Sequence, residues 1–86
     1  MNLLTDEKTA KAFGRFIRVR RVAKKMSQRE VAEIVGISQV YLNHIEHGTR
    51  NIGLTLSLNI CKVLDLNFND FIVSLTMKKP KIVRPK

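Results

Sequence analysis

The sequence contains few residues that cross-link or bend a chain: its 86 residues include one cysteine, two prolines and four glycines. Tryptophan is absent. A single cysteine excludes a small secreted domain held together by disulfides. No apolar run approaches the roughly 18 residues of a membrane-spanning helix. The N-terminus carries Asp6 and Glu7 where a signal peptide has its apolar core. These absences predict a cytoplasmic protein, and 86 residues are too few for a dinucleotide-binding fold.

Acidic residues are also scarce, since 7 Asp and Glu stand against 16 Lys and Arg for a net charge of +9. Such a balance indicates a polyanionic partner, with nucleic acid favoured over an anionic membrane surface. Nine of the cations lie in residues 8–29 and five more in residues 78–86. The second group shares its segment with both prolines, so we predict a folded domain over residues 1–76 and a flexible, disordered basic tail over residues 77–86.

Apolar residues recur with the period of a helix, and no strand-like alternation of useful length is present. The first helix is predicted from Asp6 or Thr9 to Lys25. It carries two neighbouring stripes, which we expect to form the core and a second core layer: Ala10, Phe13 and Ile17 in the first, and Ala12, Phe16, Val19 and Ala23 in the second.

Two short helices with clear boundaries follow. Ser27 and Glu30 have the spacing of a capping box, and Gly36 suits the end of that helix. Ser38 is a second N-cap, and the helix that it opens stops at Gly48. Val31, Ile34 and Val35 are expected to face inward. Two helices joined by about three residues predict a helix-turn-helix over residues 28–47, with a recognition helix at about 38–47.

A fourth helix is predicted from about Leu54 to Leu64, with Leu58 among its apolar residues, and a fifth from the N-cap Asn67 to about Met77. Five short helices with short connections make an all-α fold, a compact five-helix bundle. The fifth helix is richer in large apolar groups than a lone bundle needs. We therefore predict a symmetric dimer through the following residues: Phe68, Phe71, Ile72 and Leu75.

The exposed face of the recognition helix suits the reading of DNA bases. The amides of Gln39 and Asn43 can pair with adenine, Val40 can touch a thymine methyl, and His44 lies on the same face. Gln28, at the start of the preceding helix, is placed for a backbone phosphate.

The sequence resembles the Cro/repressor-type (XRE-like) helix-turn-helix family at many positions, and these occur in the same order along the chain. Members of that family share the lambda-repressor-like fold. The matching residues are Phe13-Gly14, Ile17-Arg18, Arg21, Ser27-Gln28-x-Glu30-Val31-Ala32, Val35-Gly36-Ile37-Ser38, Tyr41-Leu42, Ile45-Glu46-x-Gly48, Arg50, Leu56, Ile60 and Leu64. The resemblance implies a small, usually dimeric regulator of transcription that binds double-stranded DNA at an operator.

The resemblance also implies roles for individual residues. Gln39, Val40, Asn43 and His44 are expected to read bases, and Arg21 and Glu46 to form a partly buried ion pair. The residues expected at phosphates are Gln28, Ser38, Tyr41, Thr49, Arg50 and Asn51. The run Arg50-Asn51-Ile52-x-Leu54 further resembles the controller proteins of restriction–modification systems, dimers that regulate their own operon. The sequence departs from many members of the family at three places: Lys25 stands where they carry glycine, Ile52-Gly53 where they carry Pro-Ser, and Arg20 at a commonly apolar position.

Other functions remain open alternatives. An antitoxin-like protein would bind a partner protein as well as DNA, and a basic helical protein could lie on a membrane surface. No arrangement of catalytic residues is evident, so neither an enzyme nor a cofactor is predicted. His44 and His47 have a spacing that a metal could use, but no third ligand accompanies them, so no metal site is predicted.

Overall fold

The computed structural model describes residues 6–76, and in that range the chain forms five α-helices and no strand. They are α1 (Glu7–Ala23), α2 (Gln28–Val35), α3 (Gln39–His47), α4 (Leu54–Val63) and α5 (Phe68–Thr76). The predicted all-α five-helix fold is confirmed. The predicted basic tail, residues 77–86, lies outside the described residues.

Side-chain caps begin the first three helices. Asp6 accepts from the Thr9 amide, Ser27 forms the complete capping box with Glu30, and Ser38 accepts from the Tyr41 amide. The first helix of the motif ends at Gly36, whose φ of 81° is left-handed. Gly53 opens α4 without a side-chain cap, as its replacement of serine predicts.

The core lies where α1 crosses α3 and α5 and where α2 crosses α4. The ring centroids of Phe13 and Phe71 are 5.2 Å apart in an edge-to-face arrangement. The buried core residues are Phe13, Ile17, Val31, Ala32, Leu42, Ile45, Ile52, Ile60, Cys61, Leu64 and Phe71.

Two apolar residues that the sequence placed inside, Ile34 and Val19, lie at the surface, and so does Leu58 of α4. Ile34 is 60% exposed, Val19 is 63% exposed, and Leu58 is also exposed. Each helix of a small bundle is covered on one side only, so a broad apolar stripe extends past its neighbours. The second stripe of α1 is therefore a second core layer only in part: Ala12 and Phe16 are partly buried and pack against the core, whereas Val19 and Ala23 are exposed. With Leu66 and Phe71 it lines an open groove of about 520 Å³.

No helix in residues 6–76 is long and apolar enough to cross a membrane.

Candidate nucleic-acid interface

Helices α2 and α3 are held at a fixed angle by the turn between them. The amides of Gly36 and Ile37 both donate to the carbonyl of Ala32, at 2.9 and 3.0 Å. Ser38 then caps α3, and its hydroxyl accepts from the Tyr41 amide at 3.0 Å. That hydroxyl keeps its own proton for another acceptor, which is what a phosphate oxygen requires. The first amides of α3 also point out of the helix, where an anion can bind.

The side chains of Gln39 and Val40 form the open part of α3. Both residues are exposed, Val40 by 66%, and the Gln39 amide makes no hydrogen bond to the described part of the chain. Both are available to the edges of bases.

His44 is fixed on the same face by Thr49. Its Nδ1 lies 3.3 Å from the Thr49 hydroxyl, and that hydroxyl donates to the His44 carbonyl at 3.2 Å. Because the hydroxyl proton is already used, Nδ1 is the donor of the pair. With Nδ1 used in this bond, Nε2 is the ring nitrogen left for a base edge.

The loop after α3 gathers the residues expected at phosphates. The Arg50 guanidinium lies 6.0 Å from the centroid of the Tyr41 ring, within the range of a cation–π contact. The Tyr41 hydroxyl donates to the Asn51 carbonyl at 3.2 Å, so Tyr41 braces this loop and has no proton left for a phosphate.

Lys11 of α1 joins this loop, which reasoning from the sequence did not single out. With Thr49, Arg50 and Asn51 it lines a shallow depression of about 310 Å³. Its only signal in the sequence was membership of the basic stretch. Glu7 also lines the depression, with its Oε2 3.8 Å from Lys11 Nζ, so the two cations exceed the one acid and leave a positive field for DNA phosphates.

A buried ion pair joins α1 to the end of α3. Arg21 Nε donates to Glu46 Oε2 at 2.6 Å, and Arg21 Nη2 donates to Oε1 at 3.0 Å. Arg21 Nη1 also donates to the Met26 carbonyl at 2.9 Å, so the guanidinium is held on both edges. The Glu46 side chain is 1% exposed. This bidentate geometry fixes the carboxylate, because it cannot turn without losing both bonds.

Gln28 contacts protein with the group that was expected to reach DNA. Its Nε2 donates to Asn43 Oδ1 at 3.1 Å and to Glu46 Oε1 at 3.0 Å. These bonds use both amide hydrogens. In this conformation the side chain has no donor for a phosphate, and only the backbone amide at the start of α2 remains for one.

The residues expected in a dimer interface are divided between core and surface. Phe71 is 1% exposed and packs against Phe13 and Phe16, so it is a core residue and not an interface residue. Phe68, Ile72 and Leu75 are partly buried and pack against the core. Leu58 of α4 is exposed. The sequence could not separate these positions, because all of them are large apolar residues at helical spacing.

No group of three or more potential metal ligands converges in residues 6–76, and His47 Nδ1 lies 2.8 Å from the Asn43 carbonyl.

Comparison with known proteins gives consistent matches. Residues 17–71 match the family model described as helix-turn-helix. An uncharacterized HTH-type transcriptional regulator of Sinorhizobium fredii, y4dL, is 40% identical over 50 residues, which are 58% of this chain and 26% of the relative. The chain thus spans about a quarter of the length of that relative.

Two solved proteins share the fold. The restriction–modification controller protein C.AhdI of Aeromonas hydrophila superposes with a TM-score of 0.69 at 30% identity, covering 74% of this chain and 97% of its own. The clp gene regulator ClgR of Corynebacterium glutamicum superposes with a TM-score of 0.73 at 26% identity, covering 80% of this chain and 73% of its own.

Proposed function

The chain belongs to the helix-turn-helix family, and from that premise we propose that it is a sequence-specific regulator of transcription that binds double-stranded DNA. One observation carries the proposal: α3 presents Gln39 and Val40 exposed, beside a loop that holds Arg50 and lies against Lys11 of α1. An exposed amide and an exposed apolar side chain for the base edges, next to cations for the phosphates, are the arrangement that the major groove requires. We propose neither a catalytic activity nor a cofactor, and we place the protein in the cytoplasm, with the chromosome.

The test is the selection of binding sites from random duplexes. The wild type should enrich one sequence. Gln39→Ala should bind that site about tenfold more weakly and lose its preference at one base pair, since one amide–base pairing supplies about 1–3 kcal/mol of discrimination. Asn59→Ala, which removes an exposed amide from α4, is the matched control and should select the wild-type site. Unchanged affinity and preference in Gln39→Ala would rule out α3 as the reader.

We also propose a two-fold dimer that places its recognition helices about 34 Å apart, one turn of DNA, on a palindromic operator. Exposed Leu58, with Ile72 and Leu75 beside the core, supplies the apolar surface. Leu58→Lys should yield monomers in analytical ultracentrifugation at 100 μM, whereas Val19→Lys, on the α1 groove, should leave dimers. A wild-type monomer both free and on DNA contradicts the proposal.

Control of its own restriction–modification operon is the specific role that we propose. Its support is the similarity to C.AhdI, which spans 97% of that protein, and the run from Arg50 to Leu54. A footprint on the promoter of its own gene should show protection of a palindrome. No protection there, with a selected site elsewhere in the genome, would reject this role and leave DNA binding standing.

We propose that the cations of residues 78–86 add to phosphate binding without reading sequence. Deleting these residues should weaken binding to every duplex alike and reduce the salt dependence by up to about 0.9 per lost contact. A change in the selected site would show that the segment enters a groove.

A further inference from the structure

A chain of hydrogen bonds runs from α1 to the middle of the recognition helix. Arg21 holds the Glu46 carboxylate, Glu46 Oε1 accepts from Gln28 Nε2 at 3.0 Å, and the same nitrogen donates to Asn43 Oδ1 at 3.1 Å. Three helices contribute to it, and its last member is a residue expected to read bases.

The order of donors and acceptors along this chain is fixed by Glu46. A carboxylate gripped by a guanidinium can only accept, so the Gln28 amide must turn its NH₂ group toward it. That NH₂ group has a second hydrogen, which points at Asn43. Asn43 must then present its oxygen to Gln28, because two NH₂ groups facing each other are both donors and cannot form a hydrogen bond.

Asn43 therefore presents its NH₂ group, and not its oxygen, on the side away from Gln28. The bond from Gln28 turns its Oδ1 toward α2, and its Nδ2 makes no hydrogen bond to residues 6–76. Adenine is read by an asparagine that accepts from N6 and donates to N7, which requires the oxygen and the NH₂ group to face the base together. Guanine offers two adjacent acceptors, N7 and O6, while thymine offers one beside its methyl group.

We propose that Gln28 is a positioning residue that fixes Asn43 as a hydrogen-bond donor, so that Asn43 selects guanine instead of adenine. The inference rests on the proposed function. It gives Gln28 a role in sequence preference, where a phosphate contact would affect all sequences alike.

Binding-site selection with three proteins tests this. Asn43→Ala identifies the base pair that Asn43 reads, as the position where preference is lost. The wild type should select guanine there over adenine by about tenfold. Gln28→Met keeps the length of the side chain but removes the amide, so Asn43 can turn over. This variant should lose most of the guanine preference at that position and gain adenine, with the rest of the site unchanged.

Arg29→Met is the matched control in the same turn of α2. It removes an exposed cation, so affinity should fall for all sequences equally and guanine should remain. A merely structural role for Gln28 would likewise weaken all binding together, without exchanging one base for another. A second readout needs no DNA: the Asn43 side-chain NH₂ resonances should shift in Gln28→Met while the backbone spectrum of α3 is retained.

The outcomes separate the two proposals. A wild type that selects another base at the Asn43 position, or a Gln28→Met protein that keeps guanine there, overturns this inference alone. A wild type that enriches no sequence overturns the proposed function and this inference with it.

Discussion

Gly14 and Glu46 meet backbone to backbone: a Cβ atom on Gly14 would lie 2.5 Å from the carbonyl oxygen of Glu46 and as close to that of Ile45. Helix α1 thus rests directly on the last turn of the recognition helix. Backbone atoms cannot swing aside as a flexible side chain can, so Gly14→Ala must push the two helices apart. We expect a loss of about 2 kcal/mol of unfolding free energy, at the upper end of overpacking costs after the better helix propensity of alanine is counted.

Gly36→Ala is the comparison for that measurement. Gly36 has a φ of 81°, but an added Cβ would meet nothing within 4 Å, so only backbone strain of about 1–2 kcal/mol is expected. Urea denaturation of both variants should find Gly14→Ala at least as destabilised, although its backbone is ordinary helix. A Gly14→Ala protein as stable as the wild type would show that the contact is loose.

Glu46→Ala should lower the free energy of unfolding, because it leaves the Arg21 guanidinium, whose side chain is 12% exposed, without its carboxylate partner. Breaking a buried pair from one side costs about 3 kcal/mol or more. Glu33→Ala, which breaks the exposed Arg29–Glu33 pair, should cost less than about 1 kcal/mol. Equal denaturation midpoints for the two variants would mean that the buried pair does not stabilise the fold.

Lys25→Gly should stabilise the protein. Lys25 follows α1 with a φ of 59°, which strains a residue with a Cβ by about 1–2 kcal/mol. Replacing Lys25 by glycine removes this strain, but the greater conformational freedom of glycine in the unfolded chain costs about 0.5–1 kcal/mol of the stability gained. A net gain of roughly 0.5–1 kcal/mol in thermal or urea unfolding is expected, whereas Lys62→Gly within α4 should lose about 1 kcal/mol.

Stability should fall at alkaline pH through Cys61. Burial raises the pKa of its thiol from 9.0 to about 11. Stability is complete below the unfolded pKa, and between pH 9 and 11 the unfolded chain releases a proton that the folded chain keeps, so stability falls as pH rises. The loss approaches about 2 kcal/mol at pH 11.

Cys61→Ala isolates that loss from the titration of other residues. The variant lacks the thiol, so the difference in stability between it and the wild type should shrink from pH 8 to pH 10.5. A difference that stays constant over this range contradicts a raised thiol pKa.

Local signals predicted the helices well, because caps and glycines act within one turn of the residues they affect. Ser27, Ser38, Gly36 and Gly48 mark the boundaries of α2 and α3 as the structure has them. Burial was less predictable, because it depends on which neighbours cover a helix. Ile34 belongs to the apolar stripe of α2 yet faces solvent.

The candidate site likewise combines features that depend on local sequence with features that depend on the packing of helices. The motif and the exposure of Val40 followed from local pattern. The contacts of Gln28 did not, because its partners are 15 and 18 residues away and an amide can serve phosphate or protein equally well. Only the relative placement of α2 and α3 decides between them.

The base-reading residues of α3 differ in how many contacts they make within the protein, and this difference affects how such a protein acquires a new operator. Substitutions at Gln39 and Val40 cost the fold little, because these side chains support nothing else in the described chain. Lineages can change the bases read there one mutation at a time. A change at Asn43 removes the acceptor of one partly buried Gln28 donor and weakens the domain at once. Specificity at that base pair should therefore diverge late, and together with residue 28.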